Sequence, residues 1–149
     1  MVEELRDYLD DPDIHAELHE TRKEVKTVQD AAEALQVEPT KIIKSLVFFI
    51  DGKPYLVIGI GDEQIDEEKL KRVLGADKIR IASPEEVKEM TGYSIGEVPP
   101  IGNDLPKVVE LRVMDKEIVY GGGGSIRHLL EVDPSELVGR DTIVADIQS

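Results

Sequence analysis

The sequence predicts an α+β fold: one domain over residues 1–149 in which helices surround a curved, mixed β-sheet. Three observations carry this expectation. Capped segments of helical period are interleaved with runs of β-formers along the chain. At least two of the connections between those runs read as hairpins, so the sheet is mixed rather than wholly parallel. A length of 149 residues with 40% hydrophobic content is enough for one full core and not for two independent ones.

The elements follow in order. Val2, Leu5 and Leu9 share one side of a short amphipathic helix over Val2 to Leu9. Ile14, Ala16 and Leu18 then alternate with His15, Glu17 and His19, the period of a half-buried strand whose polar face holds both histidines. Thr27-Val28-Gln29-Asp30 has the spacing of a helix-start box, and Val28, Ala31, Ala32 and Leu35 repeat at helical period behind it. A further helical turn near Pro39 leads into Ser45 to Ile50, a run too apolar for an exposed edge, and Asp51-Gly52 turns it back into Tyr55 to Ile60. Asp66 caps a helix through Leu74 that Gly75 stops; Ile79 to Ile81 is a short strand; Ser83-Pro84-Glu85-Glu86 opens a helix that ends at Gly92. Val108 to Val113 and Ile118 to Tyr120 read as strands around Asp115-Lys116, followed by the loop Gly121 to Gly124 and a strand over Leu129 to Val132. Asp133-Pro134-Ser135-Glu136 starts a last short helix stopped by Gly139, and Ile143 to Ile147 is the closing strand.

Composition removes whole classes of function. Cysteine is absent, so no disulfide, thiolate metal site or catalytic thiol exists. The first ten residues carry acids instead of a basic flank and an apolar run, and no stretch approaches about 18 apolar residues. Neither secretion nor a membrane span is expected, and a cytoplasmic location is. Acids outnumber bases 32 to 18 for a net charge of −14, which repels a phosphate backbone and argues against DNA and other broad nucleic-acid binding. Local basic spots remain at His19, Arg22, Lys23 and Lys26, at Lys41 and Lys44, and at Lys69, Lys71 and Arg72.

The stretch Thr91 to Gly102, TGYSIGEVPPIG, is neither helix nor central strand. Its glycines permit backbone angles that other residues avoid, and Pro99 and Pro100 stiffen it, so it is a shaped loop: a ligand wall, or a surface connection tied down by prolines. Lys44 heads the buried strand; it caps helix carbonyls there, or holds a phosphate or polarises a carbonyl. Gly121 to Gly124 lacks the Gly-Lys-Ser/Thr ending of a triphosphate loop, and Gly59-Ile60-Gly61 lacks the third glycine of a dinucleotide fingerprint and reads as a plain turn. Ser125 and His128 are spaced as a candidate nucleophile and base, though no Gly-x-Ser-x-Gly elbow surrounds the serine. His15 and His19 are four apart with no third metal ligand nearby in sequence, and strand alternation argues against a helical zinc pair.

Taken together, IHAELH (14–19), TVQDAAEALQV (27–37), Lys44-Ser45-Leu46-Val47 and TGYSIGEVPPIG (91–102) resemble the YbaK/ProX family of aminoacyl-tRNA deacylases, the free-standing relatives of the prolyl-tRNA synthetase editing domain. The resemblance covers nearly the whole chain and implies that family's fold. It implies hydrolysis of the ester joining a wrong, small amino acid to the 3′ end of a tRNA, with no cofactor, no metal and no side-chain nucleophile. Lys44 would be the essential residue, anchoring the terminal phosphate or ribose. His19, Gly92, Tyr93 and Gly96 would contact substrate, as would Val98, Pro99 and Gly102. Gly122, Gly123, Gly124 and Ser125 would complete that set. The implied partners are the aminoacyl-tRNA end and prolyl-tRNA synthetase; the implied alternative is a noncatalytic tRNA-end or synthetase-binding module. Gly122 and Leu129 depart from the serine and acid expected in the branch acting on cysteinyl-tRNA, and alanyl-tRNA for proline is as consistent.

Overall fold

The computed structural model describes residues 2–149, and every predicted element is present with adjusted bounds. α1 (Val2–Leu9) buries Leu5. β1 (Ala16–Glu20) starts later than the alternation suggests, because Asp11 folds the chain before it. The Asp11 side chain accepts from the Asp13 amide at 2.9 Å and its carbonyl from the Ile14 amide at 3.1 Å. α2 (Val28–Leu35) begins at a complete capping box: the Thr27 hydroxyl accepts from the Asp30 amide at 3.0 Å, and the Asp30 carboxylate accepts from the Thr27 amide at 3.2 Å. A 3-10 turn at Pro39–Lys41 then delivers the chain into β2 (Ile43–Ile50).

β2 starts two residues before the expected Ser45, because Ile43 and Lys44 already pair with Ile60 and Gly59 of β3 (Lys53–Ile60). Lys44 therefore lies inside a strand and not at a helix end. The turn at Asp51-Gly52 has φ of 50° and 85°, the two left-handed residues that match the twist of a two-residue hairpin. Gly59 is a strand residue, correcting the expected turn. A Cβ there would stand 2.7 Å from Gln148 Nε2, so the missing side chain makes room for Gln148.

α3 (Glu67–Leu74) is capped by Asp66 and stopped by left-handed Gly75. β4 (Ile79–Ile81) and α4 (Pro84–Thr91) follow, the latter with a Ser83/Glu86 capping box and Gly92 at its end. β5 (Lys107–Glu110) is shorter than the predicted Val108 to Val113. The Glu110 carboxylate accepts from the Arg112 amide at 2.7 Å and starts a 3-10 turn over Leu111–Asp115. β6 (Val119–Gly122) takes in Gly121 and Gly122, which pair with Leu130 and Leu129 of β7 (His128–Val132). Half of the expected glycine loop is thus strand. The predicted last helix is a 3-10 turn at Pro134–Leu137, and β8 (Ile143–Ala145) ends before the expected Ile147.

The mixed pairing is realised in two sheets. One has the order β1-β7-β6, all antiparallel; the other has the order β4-β2-β3-β5-β8, with β5 parallel to both β3 and β8. A bridge between Ile42 and Tyr120 links them. Alternation along the strands sorts the core. Ile43, Val47, Leu56, Ile58 and Ile60 meet Val119, Leu130 and Val132 of the smaller sheet, while Phe48, Ile50 and Val57 on the opposite face meet Leu70 of α3. α2 covers the junction by setting Ala31 and Ala32 on Ile42 and Leu129. No helix of the described residues is long and apolar enough to cross a membrane.

Candidate functional site

The junction between the sheets leaves a cavity of about 260 Å³. β2 supplies Lys44, Ser45 and Leu46; the start of α2 supplies Thr27 and Val28; the proline loop supplies Ile95 to Val98; β6 and the segment after it supply Gly121, Gly122, Ser125 and His128. The loop has a defined shape. Gly92 is left-handed at φ 81°, Thr91 Oγ1 accepts from the Tyr93 amide at 3.0 Å, and Gly96 at φ 82° allows the Glu97 amide to reach the Ser94 carbonyl at 3.0 Å. The Glu97 carbonyl in turn accepts from the Gly124 amide at 2.9 Å, which ties the loop to the glycine segment. A Cβ on Gly122 would stand 2.4 Å from the Val98 carbonyl oxygen, so glycine is what lets loop and strand approach.

The ammonium of Lys44 donates to the Glu63 carbonyl. Burial pulls its pKa below the ordinary lysine value, and the Asp62 and Glu63 carboxylates partly oppose that shift. An ammonium carries three donors, so one contact leaves two. Ser45 is 9% exposed and its Oγ has no hydrogen-bond partner among the described residues. An unpaired buried hydroxyl costs on the order of 1–3 kcal/mol.

Ser125 Oγ and His128 Nδ1 are 2.7 Å apart, as the spacing anticipated. On the far side of the ring, Nε2 lies 3.4 Å from the Arg6 guanidinium, which can only donate. Ser125 Oγ also accepts from the Arg127 amide at 3.1 Å, and both side chains form part of the cavity wall.

Of the residues that the resemblance singled out, Lys44, Gly96, Val98, Gly122 and Ser125 border this cavity. Gly123 and Gly124 back it: a Cβ on Gly123 would run into the His128 backbone at 2.6 Å, and Gly124 lies against the Tyr93 ring. Gly92 ends α4, Pro99 is buried with its carbonyl accepting from Asn103 at 3.4 Å, and Gly102 faces Tyr8 and Leu5 of α1. His19 lies in a separate hollow with Arg22, Asp30 and Leu35. Its Nε2 is 3.0 Å from Glu131 and 3.9 Å from Glu17, and these three side chains place ligand atoms within 4.8 Å of one another, a group able to hold a divalent ion; exposed His15 is not in it. A larger open hollow of about 670 Å³ beside β4 and α3 contains Lys71 of the predicted basic spots and none of the residues that the resemblance singled out.

Sequence reasoning missed Ser45 and Gln148. A serine in the apolar run from Ile42 to Ile50 was a readable signal. Gln148 carried none: its Nε2 reaches the Glu63 carbonyl at 3.1 Å only because the chain end folds back beside β3.

Comparison with known proteins identifies the family. The profile of the aminoacyl-tRNA editing domain matches residues 22–139. A proline–tRNA ligase of Halalkalibacterium halodurans is 36% identical over 126 residues, which are 83% of this chain and 22% of the ligase. One of Oleidesulfovibrio alaskensis is 40% identical over 109 residues, 71% of this chain and 19% of the ligase. This chain thus spans about a fifth of the length of these relatives. Among solved structures, one described as a candidate trans-editing enzyme for prolyl tRNA synthetase superposes with a TM-score of 0.89 at 32% identity, covering 99% of this chain and 96% of that one. A hypothetical protein does so with the same score and identity, covering 98% and 99%. With the profile matched over residues 22–139 and the fold shared, the chain belongs to the aminoacyl-tRNA editing domain family.

Proposed function

We propose that this chain is a trans-editing hydrolase that removes a small, wrongly attached amino acid from tRNA, with tRNA for proline as the acceptor and the cytoplasm as the place of work. The observation that carries this reading is the meeting of Lys44, the Gly96 to Val98 loop and Gly122 on one small cavity. The proline–tRNA ligase relatives support the choice of acceptor.

In this reading Lys44 holds the terminal phosphate or ribose. The Gly96 and Val98 amides make no backbone hydrogen bond among the described residues and supply donors for the oxyanion in this reading. Water adds to the ester carbonyl carbon, the bond to the ribose oxygen breaks, and the proton passes to that oxygen, releasing free amino acid and tRNA. The ester is already activated, so positioning and oxyanion donors supply the catalysis, with water as the attacking group.

The test is a deacylation screen over tRNAs charged with non-cognate amino acids, alanyl- and cysteinyl-tRNA for proline included. Turnover of at least one is expected. Affinity for a nonhydrolysable aminoacyl mimic with no turnover across the panel would replace this reading with that of a binding module.

A further inference from the structure

The outer face of the smaller sheet carries a set of donors that the cavity does not use. Strand alternation turns Leu18, Leu130 and Val132 into the core and sends Glu17, His19 and Glu131 to the opposite face. In the register of β1 on β7, Glu17 stands directly across from Glu131, and His19 is the next residue of β1 on that face. His19 Nε2 is 3.0 Å from a Glu131 oxygen and 3.9 Å from a Glu17 oxygen, and the three ligand atoms all lie within 4.8 Å of one another.

Two carboxylates directly opposite on an antiparallel pair repel, which weakens the pairing. Neither is joined to a lysine or arginine among the described residues, and the imidazole is the partner of both. The surroundings deepen the negative field. The hollow beside His19 is lined by Glu20, Glu24, Asp30 and Glu33 against Arg22 and Lys23, on a chain whose net charge is −14. A cation between the strands would turn the repulsion into attraction. His19 and Glu131 are half-buried and Glu17 is exposed, so two donors are held at the sheet surface and the third can swing onto an ion.

The donor chemistry selects that ion. Calcium and magnesium take oxygen ligands and gain nothing from an imidazole. One nitrogen and two carboxylate oxygens suit zinc, with water in the fourth position. Bonds of about 2.0–2.2 Å in a tetrahedron set donor atoms roughly 3.3–3.6 Å apart, between the 3.0 and 3.9 Å of the imidazole contacts. We infer that Glu17, His19 and Glu131 form a zinc site that staples β1, an edge strand, to β7 in the middle of its sheet. Leu129, the cross-strand partner of His19, borders the cavity, so the staple also steadies a strand that lines it. The zinc itself is held outside the cavity, and the inference does not depend on the editing reading.

The experiment titrates protein stripped with EDTA with zinc chloride by isothermal calorimetry, and melts it with and without zinc. The wild type should bind one zinc per chain, and zinc at about 100 times its Kd should raise Tm by roughly 5–10 °C. His19→Ala and Glu131→Gln should each weaken binding about 100-fold or more, since losing an outer partner of a ligand alone costs about 10–100-fold. Glu17→Gln alters an exposed side chain, so it should fold; it should weaken zinc binding while leaving or raising the Tm of the metal-free protein, because the opposed charges are gone. His15→Ala, at an exposed histidine outside the cluster, should match wild type. No zinc uptake by the wild type, unchanged affinity in Glu17→Gln or His19→Ala, equal weakening by His15→Ala, or equally tight binding of calcium or magnesium would each overturn the inference.

Discussion

The Lys44 ammonium and the Gln148 side-chain amide donate to the same acceptor, the backbone carbonyl of Glu63. Gln148 is 1% exposed and also brackets Ile60, accepting from its amide at 2.8 Å and donating to its carbonyl at 2.9 Å. The backbone of Gln148 is itself held, since Glu110 Oε1 accepts from its amide at 3.1 Å. The end of the chain thus sets the place of the group that orients the cavity's lysine.

Gln148→Ala should therefore act on both stability and activity. Leaving the buried Ile60 groups unpaired costs about 1–3 kcal/mol each, and a melt in denaturant should show a loss of that order. Deacylation per folded molecule should also fall, because Glu63 loses its second tether. An unaltered melt, or full activity, would count against the coupling.

Lys44→Ala should keep the fold and lose about 100-fold or more in kcat/KM, the usual effect of removing one donor from a charge-stabilising site. The pH profile gives a second readout. Burial lowers the folded-state pKa of Lys44, so the proton is held below that value and lost as pH rises through it, earlier than from a solvated lysine. Activity should decline on the alkaline side, and Lys44→Arg should move that limb to higher pH among whatever activity survives. A profile identical in the arginine variant would exclude the ammonium as the titrating group.

Ser45→Ala removes an unsatisfied hydroxyl, so calorimetry should show stability unchanged or raised by about 1 kcal/mol. Because the hydroxyl is buried, KM and kcat should change little. A marked loss of stability would mean the hydroxyl has a partner in the free protein.

Gly122→Ala forces a Cβ to within 2.4 Å of the Val98 carbonyl, and backbone cannot yield as a side-chain tip would. The expected loss is about 1–3 kcal/mol, as for an overpacked core, with activity falling as loop and strand separate. Gly96→Ala meets nothing within 4 Å and is strained only by its φ of 82°, about 1–2 kcal/mol. Equal activities in the two variants would refute close approach as the reason for Gly122.

Glu86 joins the α4 capping box to Arg80, which it meets at 2.8 Å through both carboxylate oxygens, and its pKa is lowered to about 2 by the Arg80 hydrogen bonds first and the Ser83 amide second. A depressed carboxyl contributes stability above its unfolded value near 4.5 and loses it as pH falls through about 2. Wild type should exceed Glu86→Gln in stability at neutral pH, with the gap closing across that acid window in parallel denaturation series. A gap that persists below pH 2 would point to a different origin.

Much of this was legible in the letters. Caps and stops are local chemistry, so Thr27 with Asp30, Ser83 with Glu86, and the glycines at 75 and 92 marked helix ends correctly. Errors fell where a distant group intervened. Glu110 ends β5 by capping Arg112 while also holding Ile147 and Gln148, and Gly121 and Gly122 enter β6 because β7 pairs with them.

By itself the sequence determined the α+β class, the order of elements, the candidate lysine and the family resemblance, because period, capping and motif spacing act over a few residues. The tertiary structure alone decided that the strands divide into two sheets, that Lys44 and the loop ending at Val98 border one cavity, and that His19 lies outside it. It also decided that Ser45 is unpaired and that Gln148 shares an acceptor with the lysine. Those relations join residues far apart in the chain, such as Lys44 and Gln148 or Ala16 and Val132, and such contacts form only when the core between the sheets is packed, which no local pattern encodes.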